Sequence, residues 1–154
     1  MLTARLAHTD DLESLVTLRM EYFDSVYNWS SSDERDSIEL GVRDYIKNEF
    51  ESGSLLIAVD ESLNCMAMAT IYRKCPNRRI PSGRVGEIYG VYTRPEHRHK
   101  GLGRNTMLVL IEELAKRDVD LLQLEASASG ELLYQSLGFE RNTFDYNLVN
   151  LRRY

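Results

Sequence analysis

The chain has 154 residues, 43% of them hydrophobic, and a formal net charge of -5. That length and apolar content suffice for a sizeable core and give no sign of two domains, so residues 1–154 read as a single domain. The net acidity argues against non-specific nucleic-acid binding. No apolar run is long enough to cross a bilayer, and the N-terminal MLTARLAHTDD lacks the apolar core of a signal peptide. A soluble cytoplasmic protein is therefore expected, with no membrane and no nucleic acid among its partners. Cys65 and Cys75 belong to no CxxC or Cys/His pattern, so reduced thiols and no metal site are expected.

Residues 2 to 7 read as a short strand. Thr9 or Asp10 can then cap a helix from about Asp11 to Phe23, with Leu12, Leu15, Val16, Leu18 and Met20 as its apolar face. An aromatic segment follows (Tyr22, Phe23, Tyr27, Trp29), then a second helix capped by Ser32 and stopped near Phe50 by Glu51-Ser52-Gly53. Ser54 to Val59 and Cys65 to Arg73 are strand-like, and the polar turn Asp60 to Asn64 makes them an antiparallel hairpin. Lys74 to Arg84 carries Pro76, Pro81 and Gly83 and reads as a mobile basic loop.

Gly86 to Thr93 is rich in Ile, Tyr, Val and Thr, and Pro95 ends it, so it reads as a strand; Gly90 inside it marks a bulge or the close approach of a ligand. Next comes Arg98-His99-Lys100-Gly101-Leu102-Gly103, an R-x-x-G-x-G turn, and then a helix from Arg104 to Arg117 with Met107, Leu110, Ile111 and Leu114 on one face. The first turn of a helix has backbone NH groups without internal partners and the positive end of the macrodipole. Two glycines there let a phosphate reach the bare backbone. The spacing is neither G-x-G-x-x-G nor G-x-x-x-x-G-K-[ST], which excludes the Rossmann and P-loop readings. A strand from Leu121 to Ala126, a short helix near Ser129 to Leu137 and two closing strands, Phe139 to Asn142 and Phe144 to Leu151, complete a mixed, mostly antiparallel sheet flanked by helices, an α+β domain.

The run V-Y-T-R-P-E-H-R-H-K-G-L-G from Val91 to Gly103, followed by L-Y-Q-S-L-G-F from Leu133 to Phe139, resembles the GNAT superfamily of N-acetyltransferases. The resemblance implies that Val91, Tyr92 and Thr93 pair through their backbone with the pantetheine arm of acetyl-CoA. It implies that Arg98, His99, Lys100, Gly101, Leu102 and Gly103 hold the pyrophosphate, with Arg104 just behind and Lys100 and Arg104 near the adenosine end. The basic loop from Lys74 to Arg84 would then lie close to the cofactor mouth. Tyr134 would face the thioester sulfur. Ser127 and Gly130 stand where the family often has asparagine and alanine, and His99 replaces a frequent glycine. The wall of the acceptor pocket implicates Tyr22, Tyr27 and Trp29.

Acetyl transfer needs a neutral amine, and an alkylammonium with pKa ~10.4 is neutral only on the order of once in a thousand molecules at pH 7. Glu87 is the candidate base and Glu125 its reserve, with a surface carboxylate as the alternative for Glu87. Unbroken alternation would put Glu87, Tyr89 and Val91 on one face, whereas a bulge at Gly90 would reverse that relation. The acceptor implied is a primary amine on a small molecule. The alternatives are a peptide or protein amine, or a non-catalytic acyl-CoA sensor. The acidic N-terminal third suits a cationic amine and the basic middle suits CoA phosphates. Homodimerisation, common in the family, is compatible with the chain.

Overall fold

The computed structural model describes residues 3–142. Five strands form one sheet in sequential order: β1 (Ala4–Leu6), β2 (Leu55–Asp60), β3 (Cys65–Arg73), β4 (Arg84–Thr93) and β5 (Leu121–Leu124). The first four are mutually antiparallel, and β5 runs parallel to β4. Helices α1 (Leu12–Val26) and α2 (Ser32–Ser52) cover one face, α3 (Leu102–Lys116) covers the other, and the short α4 (Glu131–Ser136) lies beyond β5 in sequence. This is the expected α+β layering.

Alternation along the strands sorts two cores. Leu55, Ile57, Val59, Met66 and Met68 pack beneath α1 and α2 with Leu15, Leu18, Met20 and Ile46. Leu56, Ala58, Ala67 and Ala69 face Met107, Leu110 and Leu114 of α3. With both faces covered, β2 is buried from end to end. The turn after it is organised by Asp60, 3% exposed, whose carboxylate accepts from the amides of Ser62 (3.2 Å), Asn64 (2.6 Å) and Cys65 (2.6 Å). Cys65 and Cys75 are free thiols, and burial pushes Cys65 above its ordinary pKa.

Several expectations shift in detail. The cap of α2 is Ser31, whose hydroxyl accepts from the Glu34 amide at 3.1 Å while Glu34 accepts from the Ser30 amide at 2.6 Å; Ser32 is already helical. Gly53 closes the same helix at φ +75°. Neither Thr9 nor Asp10 caps α1, because a 3-10 turn over Thr9–Asp11 feeds straight into it. Asp11 reaches back to the His8 amide (2.8 Å) and holds Arg5 (2.7 Å), which keeps its carboxyl below the usual range. The 139–142 segment forms no strand among the described residues, and its apolar residue Phe139 packs edge-on against Tyr134 with centroids 6.1 Å apart. The strand expected over 144–151 lies outside the described residues.

The basic loop 74–83 is not beside the glycine turn. It precedes β4, while the glycine turn follows it, ten residues or roughly 30 Å on at ~3.3 Å per residue. Ile80 is buried, the Lys74 and Gly83 backbones hydrogen-bond at 2.7 Å, and Ser82 binds Asp120 (2.6 Å) and the Asp118 carbonyl (3.1 Å), beyond the C-terminus of α3. The prolines and basic residues that read as a mobile segment belong to a loop tied down at the far end of the sheet.

The organising irregularity lies in β4. Met66 pairs with Tyr92 and Met68 with Tyr89, so Gly90 and Val91 together oppose Ala67. Gly90 sits at φ +61°, and a Cβ there would come within 2.7 Å of Arg19 Nη1 and 3.0 Å of Met68 Sδ. The bulge reverses the alternation: Ile88 and Val91 face α3, whereas Tyr89 and Tyr92 face α1 and α2. Because left-handed backbone costs an L-residue about 1–2 kcal/mol, Gly90→Ala should lower stability by at least about 1 kcal/mol in urea denaturation. An unchanged midpoint would contradict this bulge geometry.

Candidate active site

Pairing between β4 and β5 runs from Val85↔Leu121 to Ile88↔Leu124 and stops there. β4 continues to Thr93, so Tyr89 to Thr93 have one edge without a strand partner among the described residues. The bulge lies inside this free stretch. A slot between two strands that have parted, with peptide groups along one wall, is built to accept an extended ligand that hydrogen-bonds to backbone.

The chain then passes through a 3-10 turn, Pro95–His97, into the glycine turn. Two residues there are left-handed, His99 at φ +59° and Gly101 at φ +84°. Gly101 is the N-cap of α3 and, having no side chain, leaves the first-turn NH groups of this 15-residue helix without a side-chain acceptor. Gly103 carries a second message. A Cβ on it would stand 3.5 Å from Leu133 and 3.8 Å from Thr93 Oγ1, ordinary contacts, so internal packing makes no demand for glycine. A bare backbone that packing does not require suits a phosphate approaching from outside.

Basic residues around this turn divide into two groups. Arg94 is committed to the fold: its guanidinium grips Glu21 of α1 at 2.9 and 3.0 Å and donates to Asn64 at 3.0 Å. Arg98 folds back on the Thr93 carbonyl (2.9 Å), and Lys100 donates to the Glu96 carbonyl (2.9 Å). Both remain exposed, as do His99 and Arg104. Leu102 is 7% exposed and its side chain belongs to the core, as does that of Tyr92, so only their backbones are available to a ligand. Val91 packs toward α3, and Thr93 donates to Cys65 Sγ at 3.1 Å.

Tyr134 lies on α4, half-buried against Phe139 and the α3 core. Its hydroxyl has no hydrogen-bond partner among the described residues, and burial, then the neighbouring Tyr22 phenol, raises its pKa above the ordinary tyrosine value. Gly130 makes room for this ring: a Cβ there would meet Tyr134 Cε2 at 2.9 Å and Ser127 Oγ at 3.4 Å. Glycine is thus the residue that lets Tyr134 and Ser127 sit together, with Ser127 Oγ 3.1 Å from Ser129 Oγ. A cavity of about 490 Å³ borders this corner along β5 and includes Glu125, Ser127 and Tyr134, but it runs outward to Asn142, the last described residue, and away from the glycine turn.

The face of the sheet under α1 and α2 holds the remaining candidates. Glu87 is exposed, lies opposite Thr70 and Gln123 in the ladder, and has no ion pair or hydrogen bond among the described residues. By the alternation it shares its face with Tyr89, and the bulge carries Val91 to the other side. Tyr22 reaches the site, packing on Tyr92 at 6.1 Å, while Tyr27 (52% exposed) stacks on Phe23 and Trp29 binds Asp24 at 2.8 Å further out. So Tyr22 reaches the bulged end of β4 through Tyr92, whereas Tyr27 and Trp29 lie further out.

Further residues on this face are hard to find from sequence. Tyr45 of α2, Thr70 of β3 and Tyr89 of β4 join their hydroxyls at 2.8 to 3.2 Å, and burial pushes the Tyr89 phenol well up. Tyr72 donates to Gln123 at 3.1 Å. Arg19 of α1 lies over the rings of Phe23 (4.4 Å), Tyr22 (5.6 Å) and Tyr89 (5.6 Å), with Nη1 against Gly90. One signal did exist: Arg19 is a cation at i+3 from Val16 and i-3 and i-4 from Tyr22 and Phe23, hence on the inward side of its helix.

The profile of the acetyltransferase (GNAT) family matches residues 12–139, which takes in α1 through the end of α4. A mycothiol acetyltransferase of Thermobispora bispora is 42% identical over 66 residues, 41% of this chain and 22% of that protein. An alanine N-acetyltransferase of ribosomal protein bS18 from Escherichia coli K12 is 40% identical over 63 residues, 39% of this chain and 43% of that one. The chain thus spans less than half the length of either relative. Among solved structures, a predicted acetyltransferase of Clostridium acetobutylicum crystallised with acetyl-CoA superposes with a TM-score of 0.84 at 24% identity, covering 100% of this chain and 99% of its own. A GCN5-related N-acetyltransferase of Ralstonia eutropha gives 0.80 at 22% identity, over 97% and 99%. With the fold, the parted strands and the family match in agreement, the chain belongs to the acetyltransferase (GNAT) family.

Proposed function

We propose that this chain is an acetyl-CoA-dependent N-acetyltransferase that modifies a primary amine of a small molecule by direct attack. The observation that carries the reading is the continuity of the bulged free edge of β4, Tyr89 to Thr93, with the side-chain-free first turn of α3. One continuous path offers peptide groups for a pantetheine arm and then helix NH groups for a pyrophosphate. Val91, Tyr92 and Thr93 would hold the arm by backbone. Arg98 to Gly103 would hold the pyrophosphate, with Lys100 and Arg104 toward the adenosine end and Ser127 at the thioester end. When bound, acetyl-CoA supplies the activated acetyl group and a thiolate leaving group.

The chain's own residues then divide the remaining work. Glu87, unpaired and exposed on the acceptor face, takes the proton from the ammonium, directly or through a water, and so raises the fraction of neutral nucleophile. Backbone NH at the bulge polarises the acyl oxygen. Tyr134, its pKa raised by burial, stays a protonated donor at and above neutral pH and stabilises negative charge on sulfur by a hydrogen bond. Tyr22 lines the acceptor side, and Tyr27 and Trp29 form its rim. No Cys or Ser stands beside a histidine among the described residues in a way that points to an acyl-enzyme, so direct attack is the simpler scheme.

A second reading keeps the chemistry and changes the acceptor to a peptide amine. The similarity to the enzyme named for ribosomal protein bS18 favours it. The rings of Tyr22 and Tyr89, both centred 5.6 Å from the Arg19 guanidinium, favour a small acceptor.

The first test is a thermal melt with acetyl-CoA, using ATP and NAD as controls. Ligand at a hundred times its dissociation constant stabilises by about 2.7 kcal/mol, a shift of a few degrees, and the expectation is a shift with acetyl-CoA alone. Gly103→Ala should fold at least as stably as the parent, since its Cβ meets only ordinary contacts and helix propensity gains up to about 1 kcal/mol. It should nevertheless weaken acetyl-CoA binding by about tenfold or more; undiminished binding would remove the pyrophosphate from this turn.

Tyr134→Phe should slow turnover roughly 10- to 100-fold, the loss of a hydrogen bond to a charged group worth about 1.5–3 kcal/mol, with acetyl-CoA binding kept. Full turnover, or binding lost altogether, would contradict the role. Glu87→Gln should lower kcat about 100-fold or more with acetyl-CoA binding kept. Turnover equal to the parent's would make Glu87 a surface carboxylate.

A further inference from the structure

Arg19 is the charged group for which the acetyl-transfer scheme has no task. The other arginines around α1 and α2 are paired: Arg35 with Asp24 at 2.8 Å, Arg43 with Glu13 at 2.9 Å, Arg94 with Glu21 at 2.9 Å. These pairings use three of the carboxylates on Arg19's own helix, and Arg19 has neither an ion pair nor a hydrogen bond to a described residue. It is half-buried, and what surrounds it is aromatic: Phe23, Tyr22 and Tyr89, within 4.4 to 5.6 Å of their ring centres. Cation–π contact of about 0.5–2 kcal/mol offsets part of the desolvation, but a guanidinium carries five donors, and none of them is met by a described residue. Burial accordingly depresses its pKa, with no carboxylate opposing.

Its place is as telling as its partners. Nη1 stands 2.7 Å from where a Cβ of Gly90 would be, so the guanidinium sits against the bulge, on the face occupied by α1 and Glu87. Under the proposed function that is the acceptor's side of the reacting carbon. Glu87, three residues upstream and roughly 10 Å away along the strand, is the unpaired anion on the same face. A planar guanidinium with free donors is suited to the two oxygens of a carboxylate or phosphoryl group.

We propose that the acceptor is an amine bearing an acidic group, a carboxylate or a phosphonate, within a few bonds of the nucleophilic nitrogen, and that Arg19 binds this group and sets specificity for it. The acid lies close to the nitrogen because Arg19 lies close to the bulge. The inference rests on the proposed function and narrows its substrate class.

The test is steady-state CoA release by the full chain at saturating acetyl-CoA. The panel pairs the L-amino acids and β-alanine with their carboxamides and adds 2-aminoethylphosphonate. The expected result is at least one acidic amine with kcat/KM about 100-fold above its amide, or above the amides generally if the phosphonate is the best acceptor. Arg19→Gln should reduce that selectivity at least tenfold, mainly through KM, and Arg19→Lys should restore part of it. Amides accepted as well as acids would overturn the inference and point to a peptide terminus, since an amide mimics one. Failure of every acidic amine, or selectivity retained in Arg19→Gln, would overturn it too. Should Arg19→Gln not fold, as its melt with acetyl-CoA reports, the parent's acid-to-amide ratio decides alone. If acetyl-CoA does not stabilise the parent chain, the proposed function has failed rather than this inference.

Discussion

One extra residue in β4 governs the rest. Gly90 adopts φ +61°, two residues oppose one across the ladder to β3, and the strand turns over. Upstream of it, β4 is an ordinary central strand with β3 on one side and β5 on the other. Around it, the strand keeps β3 and loses β5, leaving one edge of Tyr89 to Thr93 without a strand partner among the described residues. A sheet tolerates such a defect only when something else satisfies the freed groups. In the proposed function that something is the pantetheine arm, so the fold's irregularity and its chemistry have the same cause.

The bulge also separates two jobs onto two faces. Side chains before it that face α1 and α2, Glu87 and Tyr89, look toward charged and aromatic groups; Val91 after it joins the apolar packing under α3. The face under α3 is nearly all hydrocarbon and carries the helix whose N-terminus is the proposed anion site. The face under α1 and α2 mixes an aromatic bed with Arg19 and Glu87. The bidentate Arg94–Glu21 pair ties α1 to the end of β4, just before the turn that leads into α3. Arg19 fits this partition because Gly90 lacks a Cβ: the residue that bends the strand also makes room for the guanidinium.

Much of the fold was legible in the sequence because its signals are local. The apolar spacing of α3, the hairpin around Asp60 to Asn64, the αL glycine ending α2 and the R-x-x-G-x-G turn all depend on residues a few positions apart. The interior glycine in a β-branched strand announced the bulge. Ser31 and Ser32 could not be separated as caps, since both precede an acidic first turn and only the Glu34 contact decides. The anchorage of the basic loop was not legible, because charge and proline content carry no address; Ser82 and Asp120, 38 residues apart, tie it down beyond the C-terminus of α3. On the face under α1 and α2 the relevant neighbours are distant as well. Tyr45 and Tyr89 are 44 residues apart and Arg19 is 71 from Gly90, so neither the hydroxyl cluster nor the unpaired guanidinium has a local pattern. In the 139–142 segment only Phe139 favours a strand, and its ring packs on Tyr134 instead.

The central claim, that the free edge of β4 and the first turn of α3 form one ligand path, is tested most directly by titrating the ¹⁵N-labelled chain with acetyl-CoA and following its backbone amides. Perturbations should cluster at Tyr89 to Thr93 and at Gly101 to Arg104, with Asn77 to Gly83 unmoved at the opposite end of the sheet. Perturbations that cluster in the 77–83 loop, or along the outer edge of β5 without β4, would place the ligand elsewhere and contradict the account.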